Sequence, residues 1–161
     1  MKTMTRLMLI ALLALPFAGC KKEAPAPVEK AAMTAPATDD SDAWRAYLQD
    51  AVPRNMGNIS NQPYVYFLPG EGTPDFLDQY DRLLEKASSD VARGIISGNM
   101  LAYASPSSAK MADLVVAAFA GVPEGKMKGV KVVFFGAAAD NARVEAAVAP
   151  AGVDYVFVQT R

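Results

Sequence analysis

Histidine is missing from all 161 residues, and cysteine occurs once, at position 20. Without histidine no Ser-His-Asp triad can be built from this chain. With one cysteine there is neither an internal disulfide nor a Cys-x-x-Cys redox couple. A zinc site loses its usual nitrogen and sulfur donors, and no Asp-x-Asp-x-Asp/Asn-Gly loop offers calcium a cage of oxygens. No metal and no cofactor is therefore expected. Lys and Arg number 16 against 17 Asp and Glu, a net charge of −1. No cluster of basic residues could track phosphates, so no nucleic acid partner is expected. Gly-x-Ser-x-Gly is absent, as is any Gly-Lys-Ser/Thr run. Gly70-Glu71-Gly72 lacks the third glycine of a dinucleotide fingerprint, and Glu71 would repel a pyrophosphate. Long apolar runs are missing too. The most apolar stretch, Leu7 to Phe17, has eleven residues, too few to cross a bilayer as a helix.

That short run is informative in its setting. Lys2 and Arg6 precede it, and Phe17-Ala18-Gly19-Cys20 closes it. A basic start, a short apolar core and small residues before a boundary are the parts of a secretory leader. With its cysteine at the boundary, the stretch resembles a bacterial lipoprotein signal peptide and lipobox. The one departure is Phe17, where leucine is the commoner residue. The resemblance covers residues 1–20 only. It implies that residues 1–19 are removed and that Cys20 becomes a lipidated N-terminus. Several acyl chains on one residue anchor firmly, whereas a single chain binds only marginally. Lys21 and Lys22 follow, where an Asp would mark inner-membrane retention in this family. The expectation is an outer-membrane anchor in a Gram-negative envelope, with the rest of the chain facing the periplasm. With Cys20 spent on lipid, as the resemblance implies, the folded part has no thiol and must rely on packing for stability.

From Lys21 to Ser41 the chain is mostly Ala, Pro, Lys, Glu, Thr and Asp, with no aromatic residue and almost no large aliphatic. Such a segment buries too little apolar surface to offset its chain entropy. Pro25, Pro27 and Pro36 bias it towards extended conformations, so residues 20–41 read as a semi-stiff tether. Residues 42–161 then hold one domain of ordinary size.

Within that domain Trp44, Tyr47, Leu48 and Ala51 recur at i, i+3, i+4, i+7, predicting a short helix capped by Asp42 and ended by Pro53. Tyr64 to Leu68 is a continuous apolar β-rich run, predicting a strand covered on both faces. Thr73-Pro74-Asp75 starts a helix whose apolar residues are Phe76, Leu77, Tyr80, Leu83, Leu84, Ala87 and Val91, up to Gly94. Strand Met100–Ala104, a helix through Met111 and Phe119, strand Val130–Phe135, a helix through Val144 and Val148, and strand Val153–Val158 follow. Strands alternating with helices predict an α/β fold: a small three-layer doubly wound domain of about four mainly parallel strands, with helices on both faces, preceded by the short N-terminal helix.

In open α/β sheets ligands sit beyond the carboxyl ends of the strands. Glu71, Ser105, Ser107 and Asp140 lie there and are the candidate ligand-binding residues. Each turn is equally what a plain strand-to-helix connection needs, with Gly for positive φ and Ser, Thr or Asp for the cap. Ser107 and Lys110, at i and i+3, share a helix face as a nucleophile–base dyad would, but a serine at a helix start is ordinarily a cap. Asp75, Asp78, Asp81 and Glu85 form a solvated acidic face beside Arg82 and Lys86, predicting ordinary surface ion pairs. No catalytic set is assembled. The expected function is therefore non-enzymatic: a membrane-anchored lipoprotein whose periplasmic domain binds another envelope protein as an assembly or accessory factor. Two alternatives remain. One is an immunity-type lipoprotein neutralising a periplasmic toxin, which predicts an exposed acidic or aromatic patch. The other is a small-ligand binder using the strand-end crevice.

Overall fold

The computed structural model describes residues 31–161. The leader, Cys20 and the tether as far as residue 30 lie outside the described residues. Four strands, β1 (Tyr64–Phe67), β2 (Met100–Ala104), β3 (Lys131–Gly136) and β4 (Asp154–Gln159), form one parallel sheet in the order β1-β2-β3-β4. The helices are α1 (Ser41–Arg54), α2 (Phe76–Arg93), α3 (Ser108–Phe119) and α4 (Ala138–Val148). A single 3-10 turn, Ala149–Ala151, follows α4. The α/β class and its parallel sheet are as the alternation of periods predicts.

The winding departs from the doubly wound expectation. Strand order advances in one direction without reversing. Crossovers of one hand that advance one way deliver every connecting helix to the same face. Accordingly α2, α3 and α4 share one core with Tyr66, Leu101, Tyr103, Val132 and Phe134. The opposite face is covered by α1, whose Trp44, Tyr47, Leu48, Ala51 and Val52 pack on Met100, Ala102, Ala104, Val133 and Phe135. There are three layers, but no point at which the strand order switches.

Register places an aromatic row across the sheet on the three-helix side. Tyr66 pairs with Tyr103, Tyr103 with Phe134, and Phe134 with Phe157. Tyr66 and Tyr103 stack at 4.7 Å and Phe134 and Phe157 at 6.3 Å. On the α1 side β2 presents Met100 and the small Ala102 and Ala104, and the bulky Trp44 and Tyr47 complete that core. Edge strand β1 is less covered than its apolar run suggests: Tyr64 and Val65 are exposed and only Tyr66 is fully buried. A run of five apolar residues predicts burial on both faces only for an inner strand.

Residues before α1 are docked on the domain, so the tether expected over 20–41 ends earlier. Asp40, not Asp42, caps α1, its side chain accepting from the backbone N–H of Asp42 and Ala43. The Trp44 indole donates to the Thr38 carbonyl at 2.9 Å, the Met33 N–H to Asp50 at 3.0 Å, and Ala35 packs on the α1 core. Pro53 lies inside α1 in its last turn rather than ending it. α2 also starts differently from its sequence signal. Asp75 occupies the N-cap with φ 58° and makes no side-chain cap.

Candidate functional site

Three loops meet at the carboxyl ends of the strands, and hydrogen bonds stitch them together. Ser105, directly after β2, is almost fully buried, and its hydroxyl accepts from the Ser107 N–H at 2.9 Å. This bond over two residues fixes the turn that launches α3. The Ser107 hydroxyl accepts from the Glu71 N–H at 3.1 Å, tying the β1 loop to the β2 loop. Ser107 holds the N-cap position of α3 without capping it through its side chain. Nor does it hydrogen-bond to Lys110, so the i, i+3 pair is not joined as a dyad.

Ser108, one residue on, does more. Its hydroxyl donates to Asp140 at 2.6 Å and accepts from the Ala137 N–H at 2.8 Å. Asp140 in turn accepts from Arg143 at 2.8 and 3.0 Å, and Arg143 also bonds Asp113 and the Ala109 carbonyl. The chain Ala137–Ser108–Asp140–Arg143 locks the start of α4 onto the start of α3. Gly136 belongs to this close packing, since a Cβ there would meet the Phe134 ring and come within 2.7 Å of the Ser108 hydroxyl. Sequence alone marks Ser108 only as part of a serine-rich turn. Its role depends on Asp140, 32 residues away, and no local spacing signals it.

Of the four strand-end candidates, Ser105, Ser107 and Asp140 thus hold loops in place. Glu71 faces outward. It lines a hollow of about 480 Å³ with Asp75, Phe76, Leu77, Asp78 and Lys110, and none of the other three candidates lines it. The hollow opens on the first turn of α2. There Leu77 is 73 % exposed, not packed in the core as its place in the apolar series predicts. It lies about 100° round the helix from Phe76, at the margin of the buried stripe. A second, smaller hollow shares Phe76, Leu77 and Lys110 and adds Tyr80 and Asp113.

The acidic face of α2 also differs from expectation. Lys86 does not pair with the acidic stripe; it bonds the buried Asp90 at 2.7 Å. Arg93 bonds Asp90 too, and the Tyr66 hydroxyl donates to it at 2.8 Å. Burial pushes the Asp90 carboxyl up, but the hydrogen bonds from Lys86, Tyr66 and Arg93, with the Lys86 charge, outweigh it and hold the group below the usual carboxylate range. Asp90 thereby pins α2 to the edge of the sheet. Glu71, Asp75, Asp78, Asp81 and Glu85 are left exposed, and none makes an ion pair among the described residues.

On the other face, an apolar groove of about 340 Å³ runs between α1 and β1, lined by Leu48, Val52, Pro53, Val65 and Phe67 with Arg45 and Gln49 at its rim. Among the described residues no group of three His, Cys, Asp or Glu side chains is placed to hold a metal ion, and no helix is long and apolar enough to cross a membrane. No protein-family model, curated protein or solved structure matches the chain.

Proposed function

We propose that this chain is a lipid-anchored protein of a bacterial envelope, held in the outer membrane through Cys20, whose periplasmic α/β domain binds another envelope protein as an assembly or accessory factor. The observation that carries the reading is the division of labour among polar residues. Ser105, Ser107 and Asp140 are occupied in holding loops, while unpaired carboxylates and an exposed leucine stand on the outer face of α2. Polar groups bound to one another offer little to a small molecule, whereas an exposed charged and apolar surface suits a protein. The role in this reading is non-enzymatic.

The test of the anchor is metabolic labelling with an acyl analogue. Label enters the wild-type chain and is lost in Cys20→Ala, which is released from the membrane. Label retained by the variant would overturn the anchor. The test of the binding role is recovery of one envelope protein, after cross-linking in cells, in stoichiometric amount.

The acidic strip favours a second reading, an immunity-type lipoprotein that neutralises a basic periplasmic toxin. Protection of cells against an exported toxin would separate it from an assembly factor. The small-ligand alternative is left with Glu71 and the hollow beside Lys110, since its other three residues do not line that hollow.

A further inference from the structure

The outward face of α2 and the two hollows at its start have the features of a docking surface. Leu77 projects into solvent between them, with Phe76 and Tyr80 forming apolar walls. Such a seat takes an apolar side chain from a partner, because removing an exposed leucine from water is favourable. Charge around the seat is mainly negative, with Arg82 as an exposed cation among the acids of α2. Glu71, Asp75 and Asp78 line the larger hollow, and Asp81 and Glu85 continue the line along α2. Lys110 is the one cation in either hollow. Lys86 and Arg93 are engaged by Asp90, and Arg143 by Asp113 and Asp140. Unpaired like charges in a row repel one another, and a cationic partner relieves that repulsion and gains directed attraction. An anionic lipid surface would be repelled by the same row.

We propose that this face binds a Lys/Arg-rich segment of an envelope protein that seats an apolar side chain on Leu77. The proposal rests on the protein-binding reading above and names the surface and the chemistry of the partner. The α1–β1 groove carries no such charge pattern and is the natural comparison site.

The experiment uses the full-length chain in its own cells, with a photo-reactive amino acid placed at Leu77 or, separately, at Gln49 beside the α1–β1 groove. The expected result is a protein adduct from position 77 whose linked peptide is rich in Lys and Arg. Asp78→Lys with Asp81→Lys should lower its yield about tenfold, since charge reversal at a rim acts on association. Both positions are exposed, so the fold should survive with only a small drop in melting temperature, Asp78 lying in the first turn of α2. An adduct unaffected by charge reversal, or one mapping to an acidic segment, to lipid or to a second copy of this chain, overturns the proposal. Protein adducts from position 49 alone overturn this surface but leave the protein-binding reading intact. No protein adduct from either position overturns both.

Discussion

The Ser108 hydroxyl and the Asp140 carboxylate, 2.6 Å apart and both nearly buried, join the first turns of α3 and α4. The Ser107 hydroxyl makes a single bond, accepting from the Glu71 N–H in a more exposed place. The difference sets a ranking. Ser108→Ala strands the Ala137 N–H and removes a charge-assisted bond, and is expected to lower stability by about 2–3 kcal/mol. Ser107→Ala is expected to lower it by about 1 kcal/mol or less. Urea unfolding of the two variants checks the order. Equal losses would show that the Asp140 link contributes little.

Tyr66 and Tyr103 stack on each other, yet their hydroxyls differ in fate. The Tyr66 hydroxyl donates to Asp90, while that of Tyr103 is buried without a partner among the described residues. Removing one partner of a bond to a charged group costs about 1.5–3 kcal/mol, and removing an unpaired buried hydroxyl costs nothing and can stabilise. Tyr66→Phe is therefore expected to lower the melting temperature and Tyr103→Phe to leave it unchanged or raise it. Calorimetry of both variants decides the matter.

Asp90 makes stability depend on acid. Its carboxyl lies below the ordinary range in the folded chain, because three donors and the Lys86 charge outweigh its burial. The unfolded chain, with a pKa of about 3.9, therefore takes up the proton first. The contribution is present above that value and disappears as pH falls through the lower folded one. The gap in melting temperature between wild type and Asp90→Asn should be constant near neutrality and narrow below about pH 4. A gap independent of pH would show that the Asp90 charge does not matter to the fold.

Residues 31–41 belong to the folded unit. A chain beginning at Asp42 loses the Asp40 cap and the carbonyl that receives the Trp44 indole. It is expected to melt below one beginning at Ala31. Asp40→Ala alone should cost about 1 kcal/mol, the usual effect of losing an N-cap. Identical melting curves for the two truncated chains would show that the docked segment adds nothing.

Much of this architecture is legible in the residues by themselves. Period-3.6 and period-2 patterns are local, so Trp44-Tyr47-Leu48-Ala51, Met100–Ala104 and the run to Phe135 each declare their element without help from the rest. Alternation of strand and helix then dictates a parallel sheet, because a helix between two strands carries the chain back to its starting end. Choices between distant segments are not local. Whether strand order reverses is settled by how the helices pack, here α2 and α4 on either side of α3. That same packing makes β1 an edge and exposes Val65 despite its apolar run. The serines show the limit most clearly. Ser105, Ser107 and Ser108 read alike as turn residues, and only Asp140, brought in by the third crossover, gives Ser108 its partner. Leu77 and the carboxylates beside it follow the same logic. Their spacing marks a helix and sets Lys86 four residues before Asp90, but that Asp90 is buried and also receives the Tyr66 hydroxyl depends on β1, which only the packing brings beside the helix.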